Sequence, residues 1–299
     1  MKQLKKILYS RSVIGYLFVL PSLFFLGMFV FLPLLFAFVS SFFDFNLVLS
    51  DFRFVGTDNF HNVLSDERFW NSMKNTLFFT VIIVPVQNCL SLLTAAAISR
   101  QSKLNVLFRT VYFLPVVCSM TIVAMSLKIM FDFNIGILPA LARRVGFPVV
   151  DLLNDPTWAM PTIILISVYK SFGFNMVIFI AAIQSVPAML YEAADMDGAS
   201  RTAKFFRITI PCILPTVFFT LITSLISSFQ VFDQVYVTTK GGPLFRTETI
   251  VQLIYERAFK THEMGFANAA AVLLFLVILA ATLVNWKFSR SSEKEYQGG

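Results

Sequence analysis

The sequence predicts an all-α, polytopic membrane protein with six spanning helices, on three observations. First, its 299 residues are 57% hydrophobic and only 14% charged, with a mean hydropathy of +0.74. Soluble domains carry about 25% charged residues. Second, six apolar runs recur, each long enough for the ~20 residues that cross a hydrocarbon core. Third, basic residues gather at the ends of those runs, where the positive-inside rule places them.

The same composition excludes other classes. The formal charge of +7 does not indicate nucleic acid, because the basic residues form no soluble face interleaved with aromatics. Cys89, Cys118 and Cys212 all fall within apolar runs and read as small core residues, with no disulfide or metal pattern. His61 and His262 stand far apart in loops and read as surface residues.

In chain order, Lys2, Lys5, Lys6 and Arg11 precede the first run, 12–43. It is too long for a signal h-region and lacks a small-residue cleavage site, so it reads as a span. Pro21 and Pro33 mark its entry and a kink. A mixed polar stretch follows, and then the second span, 75–99. Arg100, Lys103 and Arg109 make the next connector basic, hence cytoplasmic. The third span, 110–129, contains Pro115, and the charge-balanced stretch 131–155 after it reads as external. The fourth span, 158–186, carries one charge, Lys170, which is expected to snorkel to the outer interface. The fifth, 208–232, is uncharged. Residues 235–263 form a last external segment with Gly241-Gly242-Pro243 and an amphipathic piece, 248–259. The sixth span, 267–286, ends at Lys287 and Arg290, which puts both termini inside. No repeat and no linker divides the chain, so residues 1–299 read as a single domain.

Between the fourth and fifth spans lies the densest polar patterning, 187–207. Pro187 can open a helix, where its missing N–H costs nothing. Ala188 to Met196 are strong helix formers, and Gly198 stops the helix by accepting a left-handed backbone. Ser200 can cap a second short helix running toward Pro211. The spacing predicts a compact projecting knob.

Glu192-Ala193-Ala194, Asp197-Gly198 three positions on, and Ile208-Thr209-Ile210-Pro211 together resemble the cytoplasmic EAA loop of ABC importer permeases. Within them the chain is similar to the maltose-type and glycerol-phosphate-type sugar permeases. The Gly-x-x-Asn-Phe of residues 56–60 and the stretch from Gly241-Gly242-Pro243 through Ala267–Ala270 extend that resemblance. It implies the type I ABC importer fold, in the bacterial cytoplasmic membrane, with 187–207 as the coupling loop. It also implies that Glu192 pairs with a basic residue of an ATPase, that Ala193 and Ala194 permit close approach, and that Asp197-Gly198 makes the turn. The implied partners are a second homologous permease, two ATPase subunits, an extracellular or periplasmic substrate-binding protein, and membrane lipid, with no nucleic acid.

The chain has no Walker A loop, since Gly241-Gly242-Pro243 lacks the GK[ST] of a phosphate cradle. It is therefore expected not to be an enzyme and to hold no cofactor, with ATP and Mg on the partner ATPase. In the fifth span, positions 220, 223, 224, 227 and 228 put Ser and Thr on one helical face. The resemblance implies that Tyr169, Gly173, Met176, Ser224, Ser227 and Ser228 line the substrate path. The maltose-type permeases carry asparagines where this chain has Ser228 and Val231, so the sugar itself is not implied. Sugar contact and helix–helix packing remain equal readings for each hydroxyl. A stand-alone secondary transporter or channel would need an ion-coupling residue, and Lys170 alone offers one. A lipid-modifying transferase of the CDP-alcohol type would need aspartates after Asp197-Gly198-Ala199-Ser200-Arg201, and none follows until Asp233.

Overall fold

A computed structural model describes residues 11–45 and 52–297, with side-chain surroundings for 15–45 and 52–287. Lys2, Lys5, Lys6 and the side chains of Arg11 and Arg290, which the sequence uses to orient the ends, lie outside these described residues. Internal contacts gather in two units: Met1–Ser65 with Ile254–Leu273, and Asp66–Leu253 with Leu274–Gly299.

In the first unit, α1 (Arg11–Leu26) passes through a wide π-turn, Gly27–Phe31, into α2 (Leu32–Ser40). Pro33 explains the turn: its ring crowds the preceding carbonyls and it offers no N–H, so the helix widens just before it. The span Gly15–Ser40 has no buried residue in its most apolar window, which leaves lipid or another subunit to cover it. A short hairpin, β1 (Phe43–Asp44) with β2 (Arg53–Phe54), follows. Next comes α3 (Asp58–Ser65), whose Asn59 donates to the carbonyls of Ser41 and Phe43, both at 2.9 Å. A Cβ on Gly265 would sit 2.4 Å from the Phe43 carbonyl oxygen, so only glycine permits that approach.

The second unit is built on α4 (Glu67–Ile98), which Asp66 caps by accepting from the N–H groups of Arg68 and Phe69. Two helices then replace the single third span expected over 110–129. They are α5 (Lys103–Val117) and α6 (Met120–Phe131), bent by 99° at a break of two residues. Cys118 and Ser119 are extended there, with ψ of 149° and 141°. A short α7 (Ile137–Val145) ends at the left-handed Gly146. Before it, the N–H groups of Ile135 and Asn134 hold the Asp132 carboxyl below the ordinary carboxylate range.

The core sits around α8 (Ala159–Gln184), where Ile163, Met176 and Phe179 pack with Phe79 and Ile83 of α4. Next come the knob, α9 (Ala188–Met196) and α10 (Arg201–Lys204), a second π-turn (Phe205–Thr209) and α11 (Ile210–Cys212). This π-turn also ends two residues before a proline, Pro211. The fifth span is α12 (Leu214–Phe229) with α13 (Asp233–Thr238), so it runs Leu214–Thr238 rather than 208–232. Residues 208–213 belong to the approach from the knob. The chain ends with α14 (Ile250–Phe259) and α15 (Met264–Gln297). Cys89, Cys118 and Cys212, expected in the core, are exposed on this chain.

The segment before α14 is tied to the first turns of α4. Arg68 forms an ion pair with Glu248, whose side chain is 1% exposed. Asn75 donates to the carbonyls of Phe245 (2.8 Å) and Glu248 (3.0 Å), and the Ile250 N–H donates to the Thr76 hydroxyl at 3.0 Å. These bonds replace the helical partners that a non-helical segment lacks.

Candidate functional site: an exposed knob and a membrane-level cavity

The knob forms as its residues dictate. Gly198 adopts φ +70°, and the N–H of Ala199 returns to the Ala194 carbonyl at 2.9 Å, closing the end of α9. Ser200 caps α10 by accepting from the Ala203 N–H at 3.2 Å. Two bonds then aim the pair of helices. Lys204 forms an ion pair with Asp195, and the Tyr191 hydroxyl meets that of Thr209 at 2.8 Å. No residue of α9 is buried. Met189 and Met196 are 74% and 89% exposed, and Glu192 is exposed beside the small Ala193 and Ala194. The helix thus presents apolar methionines, small alanines and two carboxylates, Glu192 and Asp195, with no cover among the described residues.

Behind the knob, Arg109 donates to the carbonyls of Ile98 (2.7 Å) and Ser99 (2.8 Å). Gln184 reaches the same Ser99 carbonyl at 2.7 Å. The basic connector therefore also holds the C-terminus of α4, where orphan carbonyls need donors.

The cavity lies between α4, α8 and α12 and has a volume of about 270 Å³. Ser224, Ser227 and Ser228 line it, as the resemblance implies. They differ in what they do. The Ser224 hydroxyl accepts from Asn175 (2.9 Å) and Asn88 (3.2 Å), so it joins α12 to α8 and α4. Ser228 bonds back to the Leu225 carbonyl at 2.8 Å, and Ser227 is exposed to the cavity. The other three implied path residues lie outside the lining. Met176 is fully buried in the core, and Tyr169 is about half exposed. Gly173 supports a helix crossing, since a Cβ there would sit 2.3 Å from the Tyr112 carbonyl oxygen.

The lining also includes Gln87, Ser167, Ser171, Thr223 and Gln234. Gln234 escapes sequence reasoning because α13 continues the span past its apolar run. Lys170 lines the cavity too, and its ammonium donates to the Val116 carbonyl at 3.1 Å. It stands near the middle of α8, ~16–21 Å along the axis from each end at ~1.5 Å per residue. That is too far for the expected snorkelling to an interface.

Comparison with known proteins settles the class. A family model described as "Binding-protein-dependent transport system inner membrane component" matches residues 87–290. The chain belongs to this family. Its relatives among binding-protein-dependent permeases include the probable ABC transporter permease protein YurN of Bacillus subtilis. YurN is 32% identical over 96% of this chain and 99% of its own length. The lactose transport system permease protein LacF of Rhizobium radiobacter is 33% identical over 95% of this chain and 96% of its own. A solved bacterial ABC transporter that imports the acidic polysaccharide alginate superposes with a TM-score of 0.84 at 26% identity, covering 97% of this chain and 99% of that one. The protein is thus a multi-pass membrane permease of the binding-protein-dependent ABC importers, with the type I fold.

Proposed function

We propose that this permease carries a carbohydrate or polyol, and that it works as one half of a channel with a second, homologous permease. Two ATPase subunits hold the ATP and Mg, so this chain catalyses no reaction and carries no cofactor. An external substrate-binding protein delivers the cargo. The chain acts as a single permease domain of a bacterial cytoplasmic membrane, with both termini and the knob on the cytoplasmic side. Arg100, Lys103 and Arg109, together with Lys287 at the other end, support that orientation.

Two observations carry the reading together: the uncovered α9, and a separate cavity lined by hydroxyls and amides. ATP-driven closure of the ATPases moves α9. Through Tyr191–Thr209 and Lys204–Asp195 the knob passes that motion to α8 and α12, whose facing surfaces form the cavity walls. Hydroxyl and amide linings exchange hydrogen bonds with sugar hydroxyls at small net energy, as a site that must also release its cargo requires. The named cargoes of relatives, lactose and sn-glycerol-3-phosphate among them, support a polyhydroxylated substrate and leave its charge open.

The test is reconstitution of the complete complex with its binding protein in proteoliposomes. Sugar uptake should require internal ATP and the binding protein. Uptake by this chain alone, without nucleotide, would instead indicate a secondary transporter.

A further inference from the structure

The cavity holds one charge. Among its lining residues Lys170 is the sole ionisable side chain, and every other polar group there is a neutral hydroxyl or amide. A lysine at mid-span costs about 2.5–3.5 kcal/mol to insert, so its placement calls for a partner. The partner found among the described residues is the Val116 carbonyl at the broken end of α5. A carbonyl takes one of the three ammonium donors and cancels no full charge. A neutral amide or hydroxyl could have capped that carbonyl without the insertion cost. Lys170 itself lines the cavity, where the exposed Ser227 and the Gln87 amide also stand.

We propose that the cavity takes an acidic carbohydrate, with Lys170 as the counter-charge to its carboxylate or phosphate. An ammonium acts as a point charge and suits either anion, whereas a planar guanidinium would favour bidentate pairing. The hydroxyl and amide lining then meets the neutral remainder of the sugar. This inference rests on the carbohydrate-import reading above.

The test uses the complete complex with its binding protein in ATP-loaded proteoliposomes. They are offered an equimolar mixture of neutral, uronate-containing and phosphorylated mono- and oligosaccharides, and accumulated species are identified by mass spectrometry. Wild type should accumulate acidic members over their neutral counterparts, and which acid prevails distinguishes carboxylate from phosphate. Lys170→Gln should lower the acidic-to-neutral ratio about tenfold, the effect of losing one charge contact of ~1.4 kcal/mol, while Lys170→Arg should keep the preference. A variant that merely uncaps Val116 would depress all sugars equally and leave the ratio unchanged. An unchanged ratio in Lys170→Gln, or a wild-type preference for neutral sugars, overturns the proposal and leaves carbohydrate import standing. Should Lys170→Gln fail to assemble, the wild-type preference still decides. Accumulation of no sugar of any class overturns the import reading, and the proposal falls with it.

Discussion

Gly173, packed outside the cavity, and Ser227, on its wall, do opposite things. At Gly173 the absence of a side chain is the function, because α5 crosses α8 against its bare Cα. Gly173→Ala should therefore lower the detergent melting temperature of the complex through overpacking of about 1–3 kcal/mol. A melting temperature equal to wild type would show that the crossing is slack. Ser227 is exposed and lines the cavity. Ser227→Trp should block uptake with the complex still assembled, whereas Phe219→Trp, on an exposed position away from the lining, should transport normally. Equal uptake by the two would remove this face from the path. The hydroxyl spacing 223, 224, 227 and 228 was readable in the sequence because a helical period needs only local residues. Whether each hydroxyl packs or faces cargo was not, since the partners of Ser224 are Asn88 and Asn175 on helices far away in the chain.

Elements show the same division between local and distant causes. The knob was legible because Pro187, Gly198 and Ser200 act on their own backbone, and α9 and α10 begin and end where they direct. The break between α5 and α6 was not. Hydropathy runs unbroken across Cys118-Ser119, and Pro115, the visible marker, sits inside an intact α5. The end of α5 is stabilised from α8, by Lys170, and α6 is held at Lys128, which donates to the Val237 carbonyl at 3.2 Å. Likewise nothing local announces that Glu248 is buried against Arg68, 180 positions away. Removing one partner of such a pair leaves an uncompensated buried charge. Arg68→Ala should cost about 3 kcal/mol or more by that argument, discounted because Arg68 is itself 29% exposed. The readout is thermal unfolding of the complex in detergent. Loss of less than a few tenths of a kcal/mol would mean that segment 239–250 is held by Asn71, Asn75 and Thr76 instead.

At the scale of the whole molecule, the proposed orientation, read from the Lys/Arg asymmetry, predicts α9 on one side of the membrane and the tip of segment 239–250 on the other. Single cysteines in a background lacking Cys89, Cys118 and Cys212 test this directly. Asp58→Cys and Leu244→Cys, both at exposed positions, should react with an impermeant thiol reagent on intact cells, and Ser200→Cys should react only after lysis. External labelling of Ser200→Cys would place the knob away from any ATPase. The central claim is that α9 transmits ATP-driven motion, and Glu192 tests it most directly. Its carboxylate is exposed and forms no ion pair among the described residues, so a change there leaves the fold untouched. By the coupling proposal, Glu192→Lys turns attraction at the docking contact into repulsion, and losing a partly desolvated charge pair costs on the order of 2–5 kcal/mol. The measurement is binding-protein-stimulated ATP hydrolysis by the purified complex. Glu192→Lys should insert and fold as wild type does and lose its ATPases or the stimulation. Stimulated hydrolysis and transport at the wild-type rate would contradict the coupling role of α9.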